Sequence, residues 1–444
     1  MAGEDIREMD KKYNLHSWAA QGALNPIVVD KAEGIFFWDA DGKKYYDMSA
    51  QLVNMNVGHG NKKIIKAIQD QAEKMPFMGP GYAVDVRSQL ARTIVEEVAP
   101  KNMGKVFLTL GGAEANENAI KIARMVTGKN KVFSRYRSYH GATYGAANLT
   151  GEPRRFPSEP GIPGFVKFFD PYLYREPKQA KFENEEAYGQ YCLDKLEEQI
   201  IWEGENNVAA IFLETVTGSN GVLIPPKGYM AGVRALCDKY GIMMVCDEVM
   251  AGWGRTGEWF AINNWNVEPD MITFAKGLTC GYAPIGGVIV SKKIAKHFDE
   301  NVLYCGLTYS AHLLGCAAGL ATIEVYKELD LINRSKEMGK VLAKEMAALR
   351  AKHPCVGECR NIGLFGMVEF VKNASEEPMV PYGKDPEGKM KKILGKLREN
   401  GFTTYSHENM IAVSPPLIIT EQEMHEAFEI LDKVCSWVDE NLMD

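Results

Sequence analysis

Short apolar runs alternate with longer amphipathic segments through the middle of the chain, from about residue 60 to residue 325. A run that is apolar at every position is typical of a strand buried on both faces, whereas the segments between the runs repeat apolar residues at helical spacing. Strands that alternate with helices predict an α/β fold with a mostly parallel sheet flanked by helices. The clearest predicted strands are Val106–Leu110, Ala209–Leu213, Ile242–Cys246, Met271–Phe274 and Gly287–Val290.

The pattern changes towards both ends of the chain. Near the N-terminus, a predicted helix is followed by two strand-like runs, Phe36–Asp39 and Lys44–Asp47, which flank a turn and predict a hairpin. Beyond Asp330 the chain is predicted to form a long helix (335–352), a strand (Leu364–Phe370) and a polar loop (372–389). A helix, a strand and a last helix (424–441) are predicted to follow.

A chain of 444 residues is longer than one hydrophobic core usually serves, so we expect two packed domains. The alternating pattern places the large domain at 60–325. The segments outside that pattern, 1–59 and 326–444, are expected to build one smaller α+β domain together.

Composition and charge exclude several classes of protein. A formal net charge of −7 argues against nucleic acid or an anionic membrane as the main partner. No run approaches the ~18–20 apolar residues of a membrane span, and the first residues lack the apolar core of a signal peptide. The nine cysteines are mostly scattered through apolar runs, which is typical of reduced thiols in a cytoplasmic protein. Cys355 and Cys359 have no second Cys/His pair nearby, so no metal site is expected.

A carboxylate and an amine each follow directly after an apolar run. Asp247 comes after Ile242–Cys246, and Lys276 comes after the run that starts at Met271. The carboxyl ends of parallel strands are where open α/β sheets bind their ligands. A lysine amine condenses with carbonyl groups and a carboxylate keeps a pyridinium nitrogen protonated, so the pair suits carbonyl–amine cofactor chemistry. A buried salt bridge, or two unrelated loop charges, would give the same pattern.

Other strand ends carry further candidate chemistry. Gly111 and Gly112 lie between a predicted strand and a predicted helix, where free backbone N–H groups at the positive end of the helix dipole bind phosphate. A tight turn needs such glycines in any case. Tyr139 follows the run at 132–134 and suits stacking on a ring, although an aromatic residue there is often part of a core. Glu214 is a third acidic strand end. The dinucleotide pattern of strand, GxGxxG and helix does not occur.

Taken in order along the chain, these positions resemble the class III aminotransferases, which are pyridoxal 5′-phosphate (PLP) enzymes of fold type I and are often called ω-aminotransferases. The resemblance extends from about Trp18 to the segment Pro415–Ile418, which is nearly the whole chain. It implies PLP as the cofactor and amino-group transfer as the reaction, with the taurine and β-alanine aminotransferases most similar. The motifs that carry it are Asp247-Glu248-Val249, Gly252-x-Gly254-Arg255-Thr256-Gly257, Pro269-Asp270, Lys276-Gly277 and Gly306-Leu307-Thr308-Tyr309.

The resemblance implies roles for the residues around the cofactor. Lys276 corresponds to the lysine that binds the cofactor covalently and then moves a proton, and Asp247 to the carboxylate that holds the pyridine nitrogen protonated. The other implied cofactor contacts are Gly112 and Ala113 at the phosphate, Tyr139 and Val249 on the ring faces, Glu214 near the ring, and Thr308 on the phosphate of the neighbouring subunit. The contact from Thr308 implies a homodimer with shared active sites, or a tetramer built from such dimers.

This chain departs from the family pattern where relatives bind their substrates. Relatives specific for γ-aminobutyrate or ornithine have an arginine where this chain has Ala142, and a gating glutamate where it has Ser219. The arginine that such a gate would mask corresponds to Arg360, which is either available to a substrate carboxylate or structural. The segment Tyr405–Glu408 holds no counterpart of the mobile arginine of amine-specific relatives. The expected substrate-binding residues are Trp18, Arg154, Arg155 and Arg360.

We therefore expect an aminotransferase that moves an amino group from a small acidic ω-amine, such as taurine or β-alanine, to a 2-oxo acid, such as 2-oxoglutarate or pyruvate. An aminomutase or a decarboxylase of the same fold type shares the lysine and the aspartate, so the sequence separates these enzymes poorly. A PLP-sensing regulatory protein would need a DNA-binding helical segment, for which the residues before Trp18 are too few.

Overall fold

The computed structural model of this protein describes residues 3–176 and 181–444. Its strands, numbered along the chain, are β1 (Val29–Glu33), β2 (Phe36–Asp39), β3 (Lys44–Asp47), β4 (Met103–Thr109), β5 (Lys131–Arg135), β6 (Phe165–Phe168), β7 (Val208–Glu214), β8 (Met243–Asp247), β9 (Met271–Phe274), β10 (Gly286–Ser291), β11 (Val356–Ile362), β12 (Phe365–Phe370), β13 (Phe402–Thr403), β14 (Ser406–His407) and β15 (Met410–Val413). Its α-helices are α1 (Gly3–Tyr13), α2 (Ala50–Val53), α3 (Lys62–Lys74), α4 (Asp85–Thr93), α5 (Gly112–Thr127), α6 (Tyr144–Leu149), α7 (Glu185–Trp202), α8 (Tyr229–Tyr240), α9 (Lys292–Glu300), α10 (Leu313–Glu328), α11 (Leu331–Lys352), α12 (Lys389–Glu399) and α13 (Glu421–Asn441).

A seven-stranded sheet, in the order β4-β10-β9-β8-β7-β5-β6, forms the centre of the molecule. Strands β6, β5, β7, β8 and β9 pair in parallel, whereas β10 pairs antiparallel with both β9 and β4. The predicted α/β fold with a mostly parallel sheet is therefore confirmed. The antiparallel direction of β10 was not predictable from its apolar run, because a fully buried strand has the same pattern in either direction.

Burial explains the continuous apolar runs of the sequence. Every residue of β7 and β8 is buried, because helices cover both faces of the sheet. The α5 helix packs on the sheet through Ala119, Ile122 and Ala123, each at most 1% exposed. A fully buried isoleucine contributes roughly 1.5–3 kcal/mol relative to an exposed one. In the two described ranges, no helix is both long and apolar enough to cross a membrane.

The two ends of the chain meet in a second sheet, in the order β1-β2-β3-β13. The predicted hairpin is confirmed by the antiparallel pairing of β2 with β3. Strand β13 then pairs in parallel with β3, with Phe402 opposite Tyr46. A third, antiparallel sheet has the order β11-β12-β15-β14. The last helix begins at Glu421 rather than at 424, because Thr420 and Glu423 form a capping box at its start.

Candidate active site

Three of the predicted site residues meet at the carboxyl edge of the central sheet. Strands β7, β8 and β9 are neighbours, and their register places Glu214 opposite Asp247 and Asp247 opposite Thr273. Lys276 follows β9 directly, so its side chain starts from the same edge. The neighbouring strand ends that the sequence predicted are confirmed, and they border a cavity of about 870 Å³.

The cavity brings together most of the residues that the sequence singled out. Its lining includes Trp18, Gly112, Ala113, Tyr139, Arg154, Glu214, Asp247, Val249 and Lys276. Ala142 and Ser219, where this chain departs from its relatives, also line it. Thr308, Arg155 and Arg360 are not among the lining residues of the described chain.

Hydrogen bonds fix the position of the Asp247 carboxylate, which is 3% exposed. Its Oδ2 atom accepts from Asn116 Nδ2 at 2.8 Å and from His140 Nδ1 at 2.7 Å, and its Oδ1 atom accepts from the backbone N–H of Val249 at 3.0 Å. Asn116 is held in turn by the Thr273 hydroxyl, which donates to Asn116 Oδ1 at 2.8 Å. The carboxylate is therefore immobilised by three donors from three different elements.

Sequence reasoning missed Asn116 and gave His140 no role. A signal was present in the sequence, because Asn116 lies three residues before Ala119 and therefore falls on the apolar face of the predicted helix. In the structure Asn116 is 0% exposed. A polar residue on the buried face of a helix needs hydrogen-bond partners, so such a position predicts a polar network.

Lys276 combines a strained backbone with a buried amine. Its φ of 41° lies in the left-handed region, where a non-glycine residue costs free energy that functional sites often retain. Burial lowers the pKa of the Lys276 amine from 10.5 to about 8, whereas the negative charges of Glu214 and Asp247 act in the opposite direction. More of the amine is therefore uncharged and nucleophilic near neutral pH than for an ordinary lysine.

The start of α5 forms a cradle that suits a phosphate group. The helix begins at Gly112 and no side chain caps it, so its first backbone N–H groups lie at the positive end of the helix dipole. A Cβ atom at Gly112 would lie 2.8 Å from Val249 Cγ1, which leaves no room for a side chain. At Gly141, where φ is 136°, a Cβ atom would lie 2.6 Å from the Cβ of Ala113. Glycine is therefore required at both positions that close the cradle.

Glu214 positions the loop that carries Tyr139. Its carboxylate accepts from the backbone N–H of Tyr139 at 3.0 Å and from that of Gly218 at 2.7 Å. Burial raises the pKa of Glu214, while these hydrogen bonds and His140 act against the shift. The contacts fix the backbone of Tyr139 at the cavity wall, where its ring is half-buried.

Arg154 is the arginine that the fold brings to the cavity. Its Nη2 atom donates to Ser219 Oγ at 3.0 Å, and its Nε atom donates to the buried carboxylate of Glu152. The guanidinium lies 3.8 Å from the ring centre of Tyr139 and 5.3 Å from that of Trp18, which are cation–π contacts. Within the described chain these bonds use two of the five N–H donors of the guanidinium, so others can reach an anionic ligand.

The other two candidate arginines lie away from the cavity lining. Arg360 pairs with Glu369 at 3.1 Å and with Glu358, and it also donates to the carbonyl of Gly221. Arg155 pairs with Glu159 at 3.0 Å, beside a separate cavity of about 260 Å³. Arg154 is also paired with a carboxylate, but it lines the large cavity of the described chain, whereas Arg155 and Arg360 do not, so the geometry does not support a substrate role for these two, which stays a prediction.

The residues of the large cavity fit PLP. The glycine cradle at α5 suits its phosphate, the fixed carboxylate of Asp247 suits its ring nitrogen, and the amine of Lys276 suits its aldehyde. His140 Nε2 adds a buried polar atom that has no hydrogen-bond partner in the described part of the chain. These groups line one continuous cavity, as a single cofactor requires.

Comparison with known proteins identifies the family. The family model "Aminotransferase class-III" matches residues 18–435. A taurine–pyruvate aminotransferase from Bilophila wadsworthia is 32% identical over 98% of both chains, and a putrescine–pyruvate aminotransferase from Pseudomonas aeruginosa is 34% identical over 91% of this chain and 90% of its own. A solved structure of taurine:2-oxoglutarate aminotransferase from Bifidobacterium kashiwanohense, in complex with PLP and glutamate, is 49% identical and superimposes with a TM-score of 0.96 over 100% of this chain and 99% of that one.

The match to the family model covers most of the chain, and the relatives are aligned over nearly their whole length. The fold type I sheet and the PLP site that the resemblance implied agree with these findings. The chain belongs to the class III aminotransferases and is a PLP-dependent transaminase.

Proposed function

We propose that the protein transfers the amino group of a small acidic ω-amine, such as taurine or β-alanine, to a 2-oxo acid, such as 2-oxoglutarate or pyruvate. The observation that carries the proposal is the position of Arg154, which offers a buried anion a cationic partner inside the cavity. The similarity to a taurine:2-oxoglutarate aminotransferase along the whole chain supports the same class of donor.

Three residues of the cavity carry the reaction in this proposal. When bound, PLP supplies an aldehyde that carries the amino group and a ring that takes up electrons from the substrate carbon. Lys276 would remove and return the proton at that carbon, for which a pKa of about 8 is well suited. Asp247 would keep the proton on the ring nitrogen, and Arg154 would hold the anionic end of the substrate.

We also propose a homodimer whose subunits share their active sites. Thr308 is exposed, as a residue that contacts the phosphate of another subunit has to be. Next to it, Tyr309 is 54% exposed and packs edge-on against Phe77, itself 37% exposed, with ring centres 5.7 Å apart. Exposed aromatic residues of this kind are typical of protein interfaces.

Two further expectations belong to the proposal. The division into a large domain at 60–325 and a small domain from 1–59 and 326–444 is supported by the pairing of β13 with β3, which joins the two ends of the chain. A cytoplasmic location is supported by the nine cysteines, an odd number spread mostly through apolar runs.

A panel of amine donors tests the proposed function directly. The PLP-loaded protein would be mixed with taurine, β-alanine, putrescine or 1-phenylethylamine, and the visible absorbance of the cofactor recorded. An acidic donor should abolish this absorbance, and 2-oxoglutarate or pyruvate should then restore it. Reaction with the neutral and cationic amines alone would overturn the proposal.

Replacing Arg154 with alanine should raise the KM for the acidic donor by roughly 30- to 1000-fold, because a charge-assisted pair of hydrogen bonds is lost, about 2–4 kcal/mol. Arg154→Lys should keep part of the binding, because a point charge remains without the planar fork. Steady-state kinetics would measure both effects, with 1-phenylethylamine as the neutral donor for comparison.

Arg360→Ala serves as the matched control for Arg154→Ala. Arg360 is also an arginine paired with a buried carboxylate, that of Glu369, but it does not line the cavity of the described chain. Its loss should lower the melting temperature and affect acidic and neutral donors alike. If Arg360→Ala impairs the acidic donor selectively and Arg154→Ala does not, the anion site is at Arg360.

Uptake of PLP by the cofactor-free protein should depend on pH through the amine of Lys276. Only the uncharged amine attacks the cofactor aldehyde, and the lowered pKa means that this form predominates above about pH 8. The rate of covalent uptake, followed by absorbance, should therefore rise with pH and level off above about 8. A rate that keeps rising towards the ordinary lysine value of 10.5 would contradict the lowered pKa.

A further inference from the structure

One stretch of the cavity wall carries polar side chains that the proposed reaction leaves without a role. Tyr405, Ser406 and His407 all line the cavity. Strand β14 pairs antiparallel with β15, with His407 opposite Met410, and the hydrogen bond from the backbone N–H of Ala412 to the carbonyl of Tyr405 continues this pairing. Residues two apart in an extended strand point to the same face, so the side chains of Tyr405 and His407 lie next to each other.

The polar ends of these two side chains are buried and make no hydrogen bond with the described residues, although Glu408 Oε1 lies 3.8 Å from His407 Nε2. Neither Tyr405 Oη nor His407 Nε2 has a hydrogen-bond partner within the part of the chain that the structure describes. Most buried polar atoms in proteins are hydrogen-bonded, because an unpaired one loses its contacts with water and gains nothing in return. Since both residues line the cavity, a ligand that fills the cavity can provide the missing acceptors.

Both groups are uncharged hydrogen-bond donors near neutral pH. Burial raises the pKa of Tyr405, so the phenol keeps its proton. Burial, together with the positive charges of Arg154 and Arg137, lowers the pKa of His407 to about 4, so the imidazole is neutral and carries one N–H, which is on Nε2 in one of its two tautomers. The charge of Arg154 acts on both side chains, as expected for groups that face the same space.

A sulfonate has more oxygens than the guanidinium fork of Arg154 can bind. An arginine fork binds two oxygens of an anion in parallel. A carboxylate has only those two oxygens, whereas a sulfonate has a third that needs another donor. Among the described lining residues, Arg154 is the only arginine and Lys276 is the only lysine. Lys276 binds the cofactor in the proposed reaction, so it is not available to the anion.

We propose that Tyr405 and His407 donate hydrogen bonds to the third oxygen of a sulfonate whose other oxygens are bound by Arg154. The pair is thereby the specificity determinant for sulfonate over carboxylate donors. This inference rests on the proposed function, because it assumes that Arg154 binds the anionic end of the substrate.

The test compares two small anions that lack the amino group, ethanesulfonate and propanoate. Their dissociation constants would be measured by calorimetry on the PLP-loaded wild-type protein and on Tyr405→Phe, His407→Leu and His407→Gln. Tyr405→Phe and His407→Leu should each weaken ethanesulfonate binding about tenfold or more and propanoate binding less than about threefold. His407→Gln, which keeps an N–H donor, should restore part of the ethanesulfonate affinity.

Tyr229→Phe is the matched control. Tyr229 Oη is likewise buried and unpaired among the described residues, but Tyr229 lies in α8 and does not line the cavity. This variant should bind both anions as the wild type does. Melting temperatures and PLP affinity should not fall in Tyr405→Phe, because in the free protein it removes only an unpaired hydroxyl; a large fall would indicate a structural role and overturn the proposal.

The possible outcomes separate this inference from the proposed function. If the wild-type protein binds neither anion and does not react with taurine or β-alanine, the proposed function has failed, and this inference with it. If the wild type binds both anions, and the variants lose affinity for both equally or for neither, the inference has failed while the proposed function stands.

Discussion

Replacing Lys276 with alanine is expected to reduce turnover by roughly 10⁴-fold or more, because removal of a catalytic nucleophile typically costs several orders of magnitude. The variant should fold, since alanine meets the same backbone strain at a φ of 41° and the removed amine is one that burial disfavours in its charged form. Turnover, circular dichroism and the absorbance of bound PLP would be measured together. The absorbance should be that of cofactor bound without its covalent link.

Lys167→Met is a matched control for that variant. Lys167 is also a largely buried lysine, and burial lowers its pKa to about 7, but it borders the smaller cavity and donates to Ser134 Oγ at 2.7 Å. A folded Lys167→Met protein should still bind PLP covalently and turn over. If Lys276→Ala retains more than a few per cent of wild-type turnover, or if Lys167→Met loses the covalent link, Lys276 is not the cofactor lysine.

The sequence predicted the centre of the site because the signal there is local. Asp247 and Lys276 each follow an apolar run, which in the case of Lys276 is interrupted only by Thr273, and the carboxyl ends of neighbouring parallel strands meet at one edge of a sheet. Strand direction and distant pairing leave no such local signal. Neither the antiparallel direction of β10 nor the pairing of Phe402 with Tyr46 follows from the residues that form those strands.

The choice among the arginines depended on partners that are distant in the sequence. Arg154 and Arg360 have similar local surroundings, but the fold brings Glu369 against Arg360 and brings Tyr139 and Trp18 against Arg154. The glutamate two residues before each arginine does not separate them, because Arg360 pairs with Glu358 and Arg154 pairs with Glu152 in the same way.

The unpaired hydrogen-bonding groups of Tyr405 and His407 could not be predicted from the sequence, for a different reason. The family pattern draws attention to a missing arginine in this segment, and an absent charge gives no indication of what binds in its place. Whether a tyrosine hydroxyl is satisfied depends on its tertiary surroundings, which leave Tyr405 Oη without a partner among the described residues.

Asp247→Asn should retain bound cofactor but lose roughly 10²- to 10⁴-fold in turnover. An amide can hydrogen-bond the ring nitrogen of PLP, but it supplies no negative charge to keep that nitrogen protonated, so the ring takes up electrons less readily. The substitution also disturbs the local network, because one of the positions that now accept from Asn116, His140 and the N–H of Val249 would become a donor.

Two further variants separate the loss of charge from the disturbance of the network. Asn116→Ala removes one donor to Asp247 Oδ2 and leaves the charge, so it should lower turnover far less than Asp247→Asn does. Glu248→Gln removes a buried carboxylate from the next residue, where it accepts from the Thr215 hydroxyl and does not belong to the described cavity lining. Its effect should appear in the melting temperature rather than in turnover of the folded protein. If fully PLP-loaded Asp247→Asn turns over as the wild type does, or if Glu248→Gln is equally impaired while folded, the negative charge of Asp247 does not carry the role assigned to it.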